Sequence, residues 1–265
     1  RLHLFNQQAW DNDSLIPQTY WLNRPEMVIA YLANPNYQSL INKIEVQPSL
    51  EELKKTYQIS RGEEGSKFNI KEEPDGSFLM VTPKDITRHD VMPGVKIDAS
   101  GLTPGKLVSI YTKPKIWIIR IQKMRWKQRI VCALDNRSNS AAMKTLQSVT
   151  LQGGPIEHLA YLSAILNSKL VNFWCVNYLA DDINQSYISR IPIVAPTQCE
   201  EQFIKNLVSL VDAITNFKNT KNTTPMEACQ LQQAIIATEF AIDRLVYELY
   251  GLNDEEIKII EGDDY

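Results

Sequence analysis

One stretch constrains this chain more than any other: residues 113–134, KPKIWIIRIQKMRWKQRIVCAL. Two runs rich in β-branched residues, 116–121 and 130–134, flank a polar tip at 122–128. Such residues fit a pleated surface, so the spacing predicts a strand–loop–strand element. From Lys113 to Arg129 it carries seven basic residues (Lys113, Lys115, Arg120, Lys123, Arg125, Lys127, Arg129) and no acidic one. A tip so charged, with Trp126 at its centre, is built to meet something negative. The plainer alternative makes Ile116, Ile118, Ile119 and Ile121 core and the charges a solvated edge that discourages aggregation.

Charge elsewhere sharpens the contrast. The 265 residues carry a net −3, yet residues 239–265 hold nine acidic and two basic side chains, a net of −7, which leaves +4 on the first 238. An even spread would argue against a polyanionic partner; this uneven one does not. Four cysteines (Cys132, Cys175, Cys199, Cys229) lie far apart with no CxxC, so structural zinc and a disulfide framework are not expected and a reduced cytoplasmic setting is. No apolar run reaches the ~18–20 residues of a membrane span, so no membrane partner is expected.

Taken in order, the chain begins at Arg1 without a methionine and is expected to be a piece of a larger protein. Residues 1–56 read as a lead-in with short helices, including one capped by Ser49. Residues 57–112 hold six of the ten glycines between short runs at 78–82, 95–97 and 107–111, a β-rich pattern. After Gly153, Gly154 and Pro155 the periodicity turns helical. One helix is expected over 157–177, a second over 200–217 and a third over 225–250, with a polar break at 218–224. The last two form an antiparallel hairpin. The expected fold class is α+β, with a β-rich recognition domain at 57–195 and a helical hairpin with an acidic tail at 196–265.

Catalytic patterns are missing. His3, His89 and His158 sit in different segments and form no ligand spacing, and there is no GxSxG, P-loop or GxGxxG. The pairs Asp181–Asp182 and Glu72–Glu73 read as solvated neighbours. The chain is therefore expected to hold no active site, metal or cofactor of its own. The basic element suits duplex DNA better: arginine can donate two parallel bonds to guanine, and lysine or arginine can neutralise phosphates.

Six segments, in order, then resemble one family. Ile59, Ser60, Arg61, Gly62 and Gly65 resemble the "RG…G" opening of target recognition domains in DNA methyltransferases. Val81 to His89, containing Lys84, Asp85, Ile86 and Arg88, looks like the "KDIxRY" segment. Lys113, Pro114, Lys115, Ile116 and Arg120 are similar to "KPKIxxxR". Residues 161–173, with Ile165, Leu166, Asn167, Ser168, Lys169 and Leu170, match "LLGILNSKLxxF". Ile191, Pro192 and Ile193 match an "IPIP" connector, and residues 242–252 resemble the "IDxLVYxLYGL" tail of type IIG restriction–modification enzymes. The resemblance is to the TaqI-like C-terminal specificity domain, with departures at Pro83, at His89 in place of Tyr, and at the early second glycine.

That resemblance implies a module that reads a short double-stranded DNA sequence and positions a separate AdoMet-dependent adenine-N6 methyltransferase domain, and possibly a nuclease domain, of the same parent protein. Asn34-Pro35-Asn36-Tyr37 lacks the second proline of the methyltransferase motif, so AdoMet and the flipped adenine are expected elsewhere in the parent. DNA contacts are expected first from Lys113, Lys115, Arg120, Lys123, Arg125, Trp126, Lys127 and Arg129. Ser60, Arg61, Lys67, Lys84, Arg88 and His89 come second. The three arginines of the basic element are assigned to base choice and its lysines to phosphates. The competing class is a protein–protein assembly module that docks through the helical hairpin and acidic tail.

Overall fold

The computed structural model describes residues 2–6, 9–14, 34–64, 70–120, 128–178, 183–220 and 224–262, with single positions at 19 and 22. At its centre is a four-stranded antiparallel sheet in the order β3-β11-β8-β9, built from β3 (Tyr57–Arg61), β8 (Lys115–Ile119), β9 (Cys132–Asp135) and β11 (Leu146–Leu151). The strand–loop–strand element is thus present as β8 and β9, paired Lys115 to Asp135 through Ile118 to Cys132. The tip 121–127, with Lys123, Arg125, Trp126 and Lys127, lies outside the described residues, as does Lys67.

Every residue of β8 is buried, and the alternation explains why. Ile116 and Ile118 join a core formed with the helices, while Trp117 and Ile119 join a second core on the opposite face. A strand covered on both faces reads as a continuous apolar run rather than an alternating one. The second core is closed by β4 (Phe78–Val81), β7 (Val95–Ile97) and β10 (Ser140–Ala142), a three-stranded sheet in which β10 pairs parallel to β4. Two short pairs complete the strands: β1 (Leu2–Asn6) with β2 (Ala9–Ser14), and β5 (Ile86–Thr87) with β6 (Asp90–Val91).

The helical layer comprises α1 (Gln38–Ile44), α2 (Glu157–Asn167), α3 (Lys169–Tyr178), α4 (Gln185–Ile188), α5 (Glu201–Asn219), α6 (Pro225–Leu249) and α7 (Asp254–Glu261). Helix α5 packs on both α2 and α6, and the residues joining α5 to α6 are few enough to make them a hairpin. Thr224 and Glu227 form a capping box on α6, with Pro225 in the first turn. Asn253 and Glu256 do the same for α7, whose first turn is acidic, and Gly262 ends it in the left-handed region. Ile204, Leu207, Val211, Ile242, Val246 and Tyr247 share one core with Ile116, Val149 and Leu162, so residues on both sides of position 195 are packed together.

Three local expectations give way. Residues 107–111 are not a strand but a π-helical turn, Leu107–Tyr111, entered through Pro104. Pro104 presets a first helical turn, and Leu107, Ile110 and Tyr111 recur at helical spacing. Residues 50–56 form successive turns rather than a helix, although Ser49 and Glu52 exchange the bonds of a capping pair. The single helix over 157–177 is two helices bent by 59° at Ser168. There the Ser168 hydroxyl accepts from Val171 N–H, and Asp243 of α6 accepts from Lys169 N–H. No single described helix is long and apolar enough to cross a membrane.

Candidate nucleic-acid interface

Strand direction decides which basic residues meet. Both β3 and β8 run antiparallel to β11, so their carboxyl ends share one end of the sheet with the start of β9. One row of the ladder reads Arg61, Gln147, Ile118, Cys132. Three interstrand gaps of ~4.8 Å make that row about 14 Å wide. Arg120 leaves β8 one step beyond it, held through its backbone: its N–H donates to Thr145 O (3.1 Å) and its carbonyl accepts from Ile183 N–H (3.0 Å). The segment 121–127 departs from that same end.

Gly62 is required where β3 exits. A Cβ there would lie 2.3 Å from Met143 O and 2.4 Å from Ala142 O, both backbone atoms that cannot yield. Beyond it Glu63 turns inward. Its carboxylate accepts from Thr103 N–H (3.0 Å), Thr103 Oγ1 (2.6 Å) and Tyr111 hydroxyl (3.0 Å), which ties the π turn to the end of β3. Burial and this carboxylate together keep the Tyr111 phenol protonated well above its ordinary range. Lys106 Nζ donates to Gly62 O at 2.7 Å. Arg61 is half-exposed and pairs with Glu64 at 3.1 Å, an exposed contact of small energetic weight. Ser60 is half-buried beside it, and its carbonyl accepts weakly from Ser148.

Several residues assigned to DNA from sequence are instead inside the protein. Lys115 is fully buried and donates to Tyr111 O (3.3 Å), Arg137 O (3.1 Å) and Ser140 Oγ (2.8 Å), with its ammonium 5.5 Å from the centre of the Trp117 ring. Burial brings its pKa down to about 8 against the opposing pull of Asp135. Asp135 in turn accepts from Trp117 Nε1 and, through both oxygens, from Arg137. Lys115 cannot reach a phosphate from there; it joins β8 to β10. Arg129 is also fully buried, near Cys175, and its backbone N–H donates to Asn172 Oδ1. The Lys115 ammonium is thus spent on oxygen partners inside the protein.

Arg88 and His89 occupy the β9 edge. Arg88 donates to Asn167 O (2.7 Å) and to Glu239 of α6 (3.3 Å). His89 is buried with φ +64, rare for a non-glycine residue. Its N–H donates to Cys132 O at 3.1 Å, and Thr215 donates to its carbonyl. Burial, with Arg88 and Lys218 nearby, holds the imidazole neutral at a pKa of about 3. His89 therefore binds the protein rather than DNA. Lys84 and Lys113 are exposed, Lys84 in the turn Pro83–Asp85 and Lys113 beyond the opposite end of the central sheet.

Sequence reasoning missed the residues that root the tip. Asn167, at the bend between α2 and α3, accepts from Cys132 N–H (3.2 Å) and donates to Cys132 O (2.8 Å), closing the outer edge of β9. With Asn172 on Arg129, two asparagines grip the chain as it returns from the tip. Their spacing, five residues across a helical bend, is the only signal the sequence carries for this. At the opposite edge, β3, among the described residues Gln185 Nε2 donates to Ile59 O at 2.9 Å. Along it run two adjoining grooves of about 620 and 840 Å³ that share Gln58, Ile59 and Gln185. Among the described residues no cluster of His, Cys, Asp or Glu could hold a metal ion.

No protein-family model matches the chain, and no curated protein does. Among solved structures, the type IIG restriction endonuclease BpuSI is similar at 12% identity and a TM-score of 0.46, over 81% of this chain and 33% of that one. The type IIL restriction–modification enzyme MmeI, in complex with DNA, gives 14% and 0.40 over 56% of this chain and 20% of its own. The HsdS subunit from Thermoanaerobacter tengcongensis gives 13% and 0.39 over 85% and 48%. This chain covers less than half the length of each.

Proposed function

We propose that this chain is the sequence-reading part of a restriction–modification enzyme. It would bind a short site in double-stranded DNA and position a separate adenine-N6 methyltransferase domain that carries AdoMet. The observation that carries this reading is that Arg61 and Arg120 stand at one end of the central sheet, the end at which the sequence continues into the basic residues 121–127. A row of about 14 Å is on the scale of the ~12 Å major groove. The order of the six family-like segments supports the same reading independently of charge.

The assigned roles are narrower than those drawn from sequence. Arg61, Arg120 and Arg125 are assigned to bases, with Ser60 and Trp126 beside them. Lys67, Lys84, Lys113, Lys123 and Lys127 are assigned to phosphates. Lys115, Arg88, His89 and Arg129 support these contacts from within. Fluorescence anisotropy with a randomised DNA duplex and a matched RNA duplex, from roughly 50 to 200 mM salt, tests the reading. Counterion release makes DNA affinity fall steeply across that range. The double reversal Arg125→Glu and Lys127→Glu is expected to abolish binding; unchanged affinity sinks the assignment.

One observation favours the second reading, an assembly module. Helix α6 exposes Met226 (72%), Ile236 (56%) and Phe240 (55%), more apolar surface than a solvated helix face needs. The two readings are compatible if this face meets the catalytic domain. Weak, salt-insensitive duplex binding would favour assembly alone.

A further inference from the structure

The groove beside β3 has a chemistry that the basic residues do not explain. Its charges, Glu51 and Lys54, cancel, and the side chains nearest the strand edge are uncharged amides. Gln152 Nε2 donates to Gln58 Oε1 at 2.6 Å, so the two carboxamides hold each other side by side. Both line the groove. Whichever way the two amides are turned, one donates and one accepts, so together they keep a donor and an acceptor to offer outward.

We propose that Gln58 and Gln152 read the major-groove edge of an adenine. This inference rests on the DNA reading above. Adenine presents N7 as acceptor and the N6 amino group as donor, the complement of one amide N–H and one amide oxygen. Guanine offers two acceptors at the same positions, which would set its O6 against the amide oxygen. Each glutamine is already restrained by the other, so less side-chain freedom is lost on contact. A β-strand from a partner protein fits this edge poorly, because Gln185 already occupies the outward carbonyl of Ile59.

Gln58 precedes Arg61 by three residues, roughly 10 Å at ~3.3 Å per residue. Side chains alternate between the two faces of a strand, so the two stand on opposite faces of β3 and meet different base pairs.

The test is selection of bound sites from a random duplex by the wild-type chain, by Arg61→Ala and by the double variant Gln58→Ala, Gln152→Ala. Anisotropy then follows on the selected site with 7-deazaadenine placed at each adenine in turn. One position, distinct from the one relaxed by Arg61→Ala, is expected to weaken wild-type binding about 5- to 150-fold when N7 is removed. The double variant is expected to lose that penalty and to accept any base there. Because the analogue series is read on the wild-type chain, it does not depend on the variant folding. Site-selective binding with no adenine sensitive to N7, or an equal penalty in the double variant, overturns this inference and leaves the DNA reading standing. Failure of the wild-type chain to bind any duplex overturns both.

Discussion

Replacing Asn167 by alanine tests whether the bend between α2 and α3 holds the root of the basic tip. The Asn167 carboxamide is fully buried and makes both bonds to the outward backbone of Cys132, itself buried. The alternation of the β8–β9 ladder, with Ile119 N–H donating to Val131 O, turns the Cys132 N–H and C=O away from β8. Truncation therefore strands the N–H, whereas the carbonyl keeps His89 N–H at 3.1 Å. An unsatisfied buried donor costs about 1–3 kcal/mol, and the lost second bond adds ~1 kcal/mol. The expected destabilisation is roughly 2–4 kcal/mol. At ~2–4 °C per kcal/mol for a chain of this size, the Tm falls by about 4–16 °C. Circular-dichroism melting measures it, with urea midpoints as a check on the slope. A second consequence separates this from general instability: well below its Tm, Asn167→Ala should lose discrimination between selected and random duplex more than total affinity. A Tm within about 2 °C of wild type refutes the clamp.

Two further substitutions probe the same frame. Burial raises Asp243 to a pKa of about 6 from 3.8, partly offset by Lys169 N–H and by the charges of Arg88 and Lys169. Between those values the native state holds more protons than the unfolded one, so this contribution is full below pH 3.8 and lost as pH rises through 6, on the order of 3 kcal/mol. Asp243→Asn cannot titrate, so its stability relative to wild type should climb by that amount from pH 4 to pH 7 in urea titrations; a constant difference contradicts the assignment. Gly62→Ala forces a Cβ against two carbonyl oxygens at 2.3 and 2.4 Å, so the exit of β3 must shift. Overpacking of this kind costs about 1–3 kcal/mol or more, and a thermal melt indistinguishable from wild type would show that the strand can yield.

Much of the frame is legible locally. The two strands of the basic element, and the capping boxes of Thr224 with Glu227 and of Asn253 with Glu256, are held by neighbours close in sequence. The family-like segments become intelligible once their contacts are known. Asp243 caps the start of α3, Tyr250 donates to Pro192 O at 2.8 Å, and Arg88 holds Asn167. These segments are partners of one another in the folded chain. The candidate site was less legible. Alternation along β8 gave no warning that Lys115 would be enclosed, because its three oxygen partners come from residues 111, 137 and 140.

By itself the sequence determined where most strands and helices fall, that the chain is α+β, and that positive charge collects in one stretch near the middle. Those are properties of short windows: side-chain period, turn residues and local caps. Only the tertiary structure decided which of the charges face outward. Strand direction brought Arg61 and Arg120 to one end of the sheet, while a second apolar layer enclosed Lys115 and the α2–α3 bend took in Arg129 and His89. A buried cation or imidazole is stable only where oxygen atoms and dipoles from distant residues replace its water, and no local pattern records which residues those will be.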